Sequence, residues 1–323
     1  MKTIHWAMIG TGDVTEKKSG PGFYKAKNSV LYGVTNRTLA KAEDDAKRHH
    51  VEKVFASVDD LLADPKVDAV YIATPPGSHK DYALRCAEAG KVCYIEKPIA
   101  LTYNEALEIS EAFKKANVKA FVAYYRRTLP RFTEVKVLLD AGTIGDVRFV
   151  NVAYYRPAAK DEINGTHWHV QPEISGGGIF MDMAVHTLDI LDFFFGAIEK
   201  VAAFSVNQAG YYAPEDNVAL SFAFDNHITG TGNWCFTTDT VADNIQIVGS
   251  KGEINFGCFT NDPIQLKTAE QETAIPAGTI EHVHQNLIQT IVDELNGQGS
   301  CPSTIESALR TAWVCDQVYQ QQD

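Results

Sequence analysis

The 323-residue sequence lacks the features that mark membrane, secreted and nucleic-acid-binding proteins. It has no run of eighteen apolar residues, and residues 1–6 (MKTIHW) do not lead into the apolar segment and cleavage site of a signal peptide. Lys and Arg form no block, and the formal charge of -12 disfavours contact with nucleic acid or an anionic membrane. We therefore expect a soluble, cytoplasmic protein that binds neither.

The sequence also lacks paired cysteines. Its six cysteines are scattered, without any C-x-x-C, at Cys86, Cys93, Cys235, Cys258, Cys301 and Cys315. That pattern indicates neither a disulfide framework nor a zinc cage. Four side chains of the second half suit zinc or iron, but no H-E-x-x-H spacing connects them: His167, His169, Asp182 and His186. We expect no metal.

Strand-like and helical segments alternate through the first half of the chain. Strand-like runs occupy 4–9, 30–35, 69–73, 92–95 and 120–124, and helical patterns occupy 39–49, 79–89 and 102–116. Such alternation predicts an α/β protein with a doubly wound parallel sheet. The length suggests two domains, which we place at 1–123 and 124–323.

A glycine-rich turn follows the first of these strands. It reads Gly10-Thr11-Gly12-Asp13-Val14-Thr15, which contains the first two glycines of a dinucleotide fingerprint. One glycine allows the tight turn, and the other lets backbone amides approach a pyrophosphate. Thr15 stands where a third glycine is usual. The motif alone is weak evidence, because glycine turns after strands are common.

The segment after this turn contains residues that interrupt a helix. Residues 16–22 (EKKSGPG) therefore predict a loop in place of most of the first helix. Its lysines allow two interpretations. Lys17 or Lys18 either lies near a bound phosphate or is simply solvated.

The residues after the second strand bear on the choice of cofactor. An NAD site carries an acidic residue here to bind the ribose hydroxyls, whereas this chain reads Asn36-Arg37-Thr38. Asn36 and Thr38 can hydrogen-bond the 2′-phosphate of NADP(H), and Arg37 can form an ion pair with it. The sequence therefore favours NADP(H), with NAD(H) as the alternative. A solvated turn arginine is the other interpretation of Arg37.

Further candidate cofactor-binding residues follow the next two strands. Thr74, Pro75 and His79 follow one of them, and Glu96 and Lys97 follow the other. Ligands of such sheets bind outside the carboxyl ends of the strands. We therefore expect these five residues to contact the cofactor.

The second half contains one strongly apolar helix, predicted over 179–195 between glycines. Asp182 and His186 stand one helical turn apart on it, with Asp189 further along the same face. Burying ionisable groups is costly unless they are paired. The pair therefore either orders the core or takes part in a reaction.

Strand-like runs dominate the rest of the second half, at 147–155, 201–207, 217–224, 228–236, 245–249, 253–256 and 264–268. Short turns join most of them, which predicts a large, mostly antiparallel open sheet in an α+β domain. The free face of an open sheet needs a partner, so we expect a homodimer or homotetramer through that sheet. Further on, His282-Val283-His284 is interpreted as a helix start rather than a site.

Together these motifs resemble the Gfo/Idh/MocA oxidoreductases over nearly the whole chain. The resemblance rests on Gly10-Thr11-Gly12, Ala73-Thr74-Pro75-Pro76 with His79, Glu96-Lys97-Pro98, and Gly176-Gly177-Gly178 followed by Asp182 and His186. It implies an N-terminal dinucleotide-binding Rossmann domain and a C-terminal α+β domain for substrate binding and oligomerisation. It also implies a catalytic group of Lys97, Asp182 and His186, and a cis Lys97–Pro98 bond.

The chain departs from the family pattern at two places. It reads Tyr125-Arg126 where Asn and Arg are frequent after the strand predicted at 120–124, and Trp168-His169 where Trp-Arg is frequent before the glycine run. We expect these four residues to line the substrate pocket. The substrate therefore cannot be taken over from a relative.

The resemblance implies reversible hydride transfer between a nicotinamide and a secondary alcohol or ketone of a sugar, cyclitol or related polyol. His186 would take the hydroxyl proton, Asp182 would orient the imidazole, and Lys97 would bind the same oxygen, unless the roles of His186 and Lys97 are exchanged. Two alternatives stay open. One is a redox-neutral, NAD-dependent glycosidase of the same family, and the other is a dinucleotide-binding sensor without enzymatic activity.

Overall fold

The computed structural model describes residues 1–320. The strands, in chain order, are β1 (Ile4–Ile9), β2 (Ser29–Thr35), β3 (Lys53–Val54), β4 (Ala69–Ile72), β5 (Val92–Ile95), β6 (Ala120–Val122), β7 (Val147–Tyr155), β8 (Ile198–Val206), β9 (Asn217–Phe224), β10 (Thr229–Cys235), β11 (Ala242–Gly249), β12 (Gly252–Phe256), β13 (Ile264–Thr268) and β14 (Glu272–Ile275). The α-helices are α1 (Gly20–Lys25), α2 (Leu39–His49), α3 (Val58–Ala63), α4 (His79–Glu88), α5 (Tyr103–Ala116), α6 (Pro130–Asp140), α7 (Lys160–Ile163), α8 (Pro172–Ser175), α9 (Ile179–Phe195), α10 (Gln285–Leu295) and α11 (Ile305–Gln320). No helix within residues 1–320 is long and apolar enough to cross a membrane.

The chain forms two compact units, and neither is continuous in sequence. The first comprises Met1–Thr128 and Ile280–Leu309, and the second comprises Leu129–Thr279 with the chain from Arg310 onwards. Helix α10 therefore belongs with the N-terminal residues. The boundary expected between residues 123 and 124 stays a prediction, and no pattern in the sequence anticipated the return of 280–309.

The first unit is built on a six-stranded sheet in the order β3-β2-β1-β4-β5-β6, with every pair parallel. This confirms the predicted doubly wound parallel sheet. Its central strands are apolar and almost entirely buried, as parallel strands covered on both faces must be. The strand order reverses between β1 and β4, and ligands of such sheets bind outside the carboxyl ends of the strands at that point.

The loop predicted over 16–22 is wrong, because a π-helical turn and then α1 occupy residues 15–25. Pro21 lies in the first turn of α1, where its missing N–H breaks no helical hydrogen bond. Gly22 lets α1 approach α10 closely, since a Cβ there would lie 2.8 Å from Ile288 Cδ1. The residues that suggested a break therefore allow the helix to begin and to pack.

The second unit is built on an eight-stranded sheet in the order β14-β13-β12-β11-β7-β10-β9-β8. β7 and β10 pair in parallel, and the other neighbours pair antiparallel. This confirms the predicted large, mostly antiparallel sheet. Side chains along β10 alternate between buried and exposed, which is typical of a sheet with one covered face.

Helix α9 has the predicted bounds and is buried along most of its length. Phe180 meets Trp234 of β10 edge to face, with ring centroids 5.4 Å apart, so the helix covers one face of the sheet. The preceding glycine run allows this close packing. A Cβ on Gly178 would lie 2.8 Å from the backbone oxygen of Glu215.

Candidate active site

A cleft of about 520 Å³ lies at the carboxyl ends of β1, β2 and β4. Most of the predicted cofactor-binding residues line it, namely Gly10, Thr11, Gly12, Asn36, Arg37, Thr38, Thr74 and Pro75. The other five predicted residues are not among its lining, namely Asp13, Val14, His79, Glu96 and Lys97. No pattern in the sequence indicated Lys41, Ser78, Tyr82 and the segment 56–58, which also border the cleft. Residues 56–58 follow β3, and a strand of only two residues gives no recognisable pattern in the sequence.

The two glycines of the turn after β1 serve different purposes. Gly10 has a φ of +95°, and a Cβ on it would lie 2.8 Å from the Ala73 carbonyl oxygen, so only glycine fits there. A Cβ on Gly12 would meet no atom within 4 Å, so the fold itself does not require a glycine. The space beside Gly12 suits a closely approaching pyrophosphate, and the turn therefore fits a dinucleotide.

Thr15, in the place of the third glycine, closes the turn through its hydroxyl. Its Oγ1 accepts a hydrogen bond from the Gly12 N–H and donates one to the Gly12 carbonyl, both at 2.8 Å. Asp13 and Lys17 form an exposed ion pair beside the turn, with Nζ 2.9 Å from Oδ2. A role for Lys17 or Lys18 at a phosphate stays a prediction.

Asn36 holds the loops beside the cleft together. Its Nδ2 donates to Thr11 Oγ1 at 2.9 Å, and its Oδ1 accepts from the Thr38 backbone N–H at 2.9 Å. Arg37 is exposed and lines the cleft. Its guanidinium is therefore open to an anionic ligand at this edge.

His79 is completely buried and joins two strand-end loops. Its Nδ1 lies 2.9 Å from the Pro98 carbonyl oxygen, and its Nε2 lies 2.7 Å from the Thr74 carbonyl oxygen. Burial lowers the pKa of the imidazole, although both carbonyls favour the cation. His79 thus holds Thr74 at the cleft, while a direct contact of His79 with the cofactor stays a prediction.

Glu96 and Lys97 follow β5, and the Lys97–Pro98 peptide bond is cis, as expected. Glu96 is buried. Its Oε1 accepts a hydrogen bond from Tyr71 Oη at 2.5 Å, and its Oε2 accepts from the Lys97 backbone N–H at 3.2 Å. Burial raises the pKa of Glu96, against the opposing effects of Tyr71 and the Lys97 charge. The carboxyl group thus fixes the backbone from which the Lys97 side chain extends.

Tyr125 and Arg126 follow β6 and are buried in the first unit. Arg126 Nη1 donates to Tyr125 Oη at 2.9 Å, and its Cζ lies 5.0 Å from the ring centroid of that tyrosine. The Tyr125 ring also lies 4.5 Å from the ring of His284, measured between centroids. His284 does precede a helix, α10, as predicted, but it is completely buried among polar side chains.

The second unit contains the other predicted catalytic residues. Asp182 lies in the first turn of α9, and His186, one turn later, is 5% exposed. His169 Nε2 lies 3.5 Å from Asp182 Oδ1, and Trp168 packs on His169 with ring centroids 3.7 Å apart. The structure therefore brings both predicted substrate residues of this unit to Asp182.

A loop that sequence analysis missed borders His186. The ring of Phe259 lies 6.1 Å from the His186 ring, edge to face. Asp243 of β11 holds this loop by accepting the backbone N–H groups of Cys258, Phe259 and Thr260 at 2.8, 2.6 and 2.7 Å. Because the contact joins a strand to a distant loop, no local pattern in the sequence indicated it.

Within residues 1–320, one group of acidic and histidine side chains has its ligand atoms within 4.8 Å of one another, namely Glu16, Asp45 and His49. Arg48 donates to Glu16 and, at 2.8 Å, to Asp44 Oδ2. Glu16 of this group is therefore already paired with the Arg48 guanidinium, whose Nη2 also lies 3.7 Å from Asp45 Oδ1. The histidines and Asp182 of the second unit do not form such a group, and the absence of a metal site stays a prediction.

Both halves of the chain match known protein families. Residues 4–124 match the oxidoreductase family with an NAD-binding Rossmann fold. Residues 132–255 match the GFO/IDH/MocA C-terminal domain. The two matches fall in the first and second unit respectively.

Relatives share this organisation. Oxidoreductase P35 from Formosa agariphila is 37% identical over 320 residues, which covers 97% of each chain. The scyllo-inositol 2-dehydrogenase (NAD(+)) from Bacillus subtilis is 29% identical over 83% of this chain and 78% of its own. The fold is shared with the levoglucosan dehydrogenase complex with NADH and L-sorbose, at a TM-score of 0.87 and 23% identity over 99% of this chain and 96% of that one. The chain therefore belongs to the Gfo/Idh/MocA family and is an NAD(P)-dependent dehydrogenase or reductase acting on CH–OH groups.

Proposed function

We propose that the protein catalyses reversible hydride transfer between a nicotinamide dinucleotide and a secondary alcohol or ketone of a sugar, cyclitol or related polyol. One observation carries the proposal. The first unit has a cleft at the glycine turn after β1, and the second unit has the buried His186 one helical turn after Asp182. Oxidation of an alcohol needs both a hydride acceptor and a base. The relative named for scyllo-inositol supports the substrate class.

The bound dinucleotide would supply the hydride acceptor or donor. Gly10, Thr11 and Gly12 would hold its pyrophosphate, and Arg37 would pair with a 2′-phosphate. Lys41 adds a second positive charge to the lining of the cleft, and none of the described lining residues is acidic. We therefore assign NADP(H) as the preferred cofactor and NAD(H) as the weaker one.

His186 would carry the proton of the reaction. When the alcohol is oxidised, a hydride leaves the carbinol carbon and the hydroxyl proton passes to the imidazole of His186, and reduction reverses both transfers. Asp182 would stabilise the cationic imidazole. Lys97 would hydrogen-bond the reacting oxygen and stabilise its alkoxide character. The alternative assignment exchanges the roles of Lys97 and His186.

Four residues are proposed to contact the substrate. Trp168 and His169 are supported by their position beside Asp182. Tyr125 and Arg126 are supported by the family resemblance. Their hydrogen bond would keep the tyrosine hydroxyl and the guanidinium in one fixed arrangement.

The free face of the eight-stranded sheet is proposed to pair with another copy of the chain, in a homodimer or homotetramer. Large apolar side chains are exposed on β7 and β8. Phe204 is 80% exposed, and Phe149 and Val206 are exposed to a lesser degree. Exposed apolar surface of this kind marks interaction sites.

A fluorescence titration with NADPH and with NADH, before and after dialysis, tests the proposed function. Exchangeable binding that is tighter for NADPH, followed by turnover of a polyol or keto sugar, would support it. A cofactor retained through dialysis, together with release of p-nitrophenol from aryl glycosides, would instead indicate the redox-neutral glycosidase. Binding without either activity would indicate the sensor.

A further inference from the structure

A largely buried ion pair joins the end of β7 to the segment that follows this strand. Arg156 Nη2 donates to Glu162 Oε1 at 2.5 Å, and Arg156 Nη1 donates to Glu162 Oε2 at 3.0 Å. The side chain of Glu162 is 6% exposed and that of Arg156 is 22% exposed. Two hydrogen bonds from one guanidinium fix the direction of a carboxylate as well as its distance. The pair therefore holds α7, which contains Glu162, in one orientation at the end of β7.

Arg156 is itself fixed to the eight-stranded sheet. Its backbone N–H donates to the carbonyl oxygen of Cys235, the last residue of β10, at 3.0 Å. The guanidinium Cζ lies 5.6 Å from the ring centroid of Phe236, and Nη1 also donates to the Pro157 carbonyl oxygen at 2.8 Å. The guanidinium therefore presents its donors to Glu162 from a fixed position.

Glu162 in turn organises the chain on either side of it. Its Oε2 also accepts the Ala159 backbone N–H at 2.6 Å, which caps the start of α7. Beyond α7, the backbone N–H groups of Thr166 and His167 donate to the Asp161 carbonyl oxygen at 3.0 and 3.1 Å. Burial acts to raise the pKa of Glu162, but the hydrogen bonds that its carboxylate accepts outweigh burial and lower the pKa below its ordinary value. The carboxylate is therefore charged at neutral pH.

The residues that follow this hydrogen-bonded segment are those proposed to contact the substrate. Trp168 comes directly after His167, and its ring packs on that of His169 with centroids 3.7 Å apart. His169 Nε2 lies 3.5 Å from Asp182 Oδ1. The position of α7 therefore determines where the two rings lie beside Asp182.

We propose that Glu162 is a positioning residue that acts through Trp168 and His169 on substrate binding. The inference rests on the proposed function, in which these two residues contact the substrate. Without Glu162, the segment is no longer confined to one arrangement, and only the fraction of molecules with both rings in place is ready to bind. Substrate binding then weakens, while cofactor binding does not change because the cleft lies in the first unit.

Fluorine NMR follows the Trp168 ring without any substrate. The chain contains four tryptophans, so labelling with 5-fluorotryptophan gives four resonances, and the one absent from Trp168→Phe belongs to Trp168. Glu162→Ala removes the hydrogen bonds from Arg156 and Ala159. In that variant the Trp168 resonance should move towards the shift of fluorotryptophan in unfolded protein, while the other three resonances keep their positions.

Steady-state kinetics tests whether this position affects the substrate. For the polyol or keto sugar that the wild type turns over fastest, Glu162→Ala should raise KM about tenfold, with a smaller change in kcat and an unchanged Kd for NADPH. In a background that carries both Trp168→Ala and His169→Ala, adding Glu162→Ala should raise KM less than about twofold, because the effect passes through those side chains.

Two matched variants separate positioning from a general loss of stability. Arg156→Lys keeps the positive charge but not the two-pronged contact, so it should move the Trp168 resonance and raise KM in the same direction. Arg310→Lys makes the same change in another pair of the second unit, where Arg310 donates to both carboxylate oxygens of the buried Asp192 at 2.6 and 2.8 Å. The Trp168 resonance and KM should keep their wild-type values in Arg310→Lys.

An unchanged Trp168 resonance in Glu162→Ala would overturn the inference. A moved resonance with an unchanged KM, or an equal rise in KM with and without the two substituted rings, would also overturn it. If Glu162→Ala does not fold, Arg156→Lys carries the same prediction. A protein that turns over no polyol or keto sugar would contradict the proposed function, and the fluorine spectra would then still decide whether Glu162 positions Trp168.

Discussion

Asn36 Nδ2 donates to Thr11 Oγ1 at 2.9 Å, and this hydrogen bond joins the turn after β1 to the turn after β2. The amide of Asn36 is thus used within the protein. The positive charge at this edge of the cleft comes from Arg37 and Lys41. The hydrogen bond holds the segment that contains Arg37. The Arg37 guanidinium would then form charge-assisted hydrogen bonds with a 2′-phosphate.

Arg37→Ala should therefore weaken the binding of NADPH but not that of NADH. We expect the Kd for NADPH to rise about tenfold or more, because a charge-assisted contact with the 2′-phosphate is lost. The Kd for NADH should change little, since NADH lacks that phosphate. Fluorescence titration of one variant with both dinucleotides provides the measurement and its control. An equal loss for both would place Arg37 on a part of the cofactor that they share.

Alanine substitutions at the two glycines of the turn should have different effects, one on cofactor binding and the other on stability. Gly12→Ala should melt at the wild-type temperature but bind NADPH about tenfold or more weakly, because its Cβ would project into open space that the pyrophosphate would use. Gly10→Ala should melt at a lower temperature, because its Cβ would lie 2.8 Å from the Ala73 oxygen. Wild-type NADPH affinity in Gly12→Ala would contradict the proposed position of the pyrophosphate.

His186→Asn should lower kcat about 100-fold or more, because the proposed proton carrier is removed. The Kd for NADPH and the melting temperature should stay close to the wild type. His227→Asn is a matched control, since its imidazole is exposed in the turn between β9 and β10 of the same unit and its φ of 70° is one that asparagine also adopts. A lower melting temperature with kcat unchanged in His186→Asn would identify the Asp182–His186 pair as purely structural.

The pH dependence of stability should report the buried imidazole of His284. Burial lowers the pKa of this imidazole from its ordinary 6.5 to about 3 in the folded protein. As pH falls through that range, the unfolded chain takes up a proton that the folded chain does not, so the folded state loses stability. The urea midpoint should therefore fall less steeply with decreasing pH in His284→Gln than in the wild type. Parallel curves for the two proteins would show that the ring is not kept neutral.

Local signals in the sequence predicted much of the fold. Helix α9 has its predicted bounds because a glycine ends the helix at each side and the residues between are apolar. Strands β5, β7 and β13 also have their predicted bounds, since each is a short run of apolar or alternating residues between turn residues. The parallel sheet was predicted from the alternation of strands with helices in the first half of the chain. The predicted residues of the cleft followed from the rule that ligands bind at strand ends.

Contacts between distant residues explain what the sequence did not reveal. Tyr94 and His284 are 190 residues apart, so no local spacing marks their hydrogen bond. Gly22 and Pro21 are typical helix-breaking residues, but α10 supplies the surface against which a helix containing them packs. The role of Asp243 depends in the same way on a loop that follows a later strand. In each case the partner, rather than the residue itself, determines the structure.

The return of residues 280–309 to the first unit affects the order in which a ribosome can complete this protein. Translation releases the N-terminal part of a chain first, and a continuous N-terminal domain can fold while the rest is being made. Here the N-terminal strands and α1 emerge long before α10, whose Ile288 packs at Gly22. The nucleotide-binding unit is therefore completed only after residues 129–279 have been synthesised, although its glycine turn leaves the ribosome well before them.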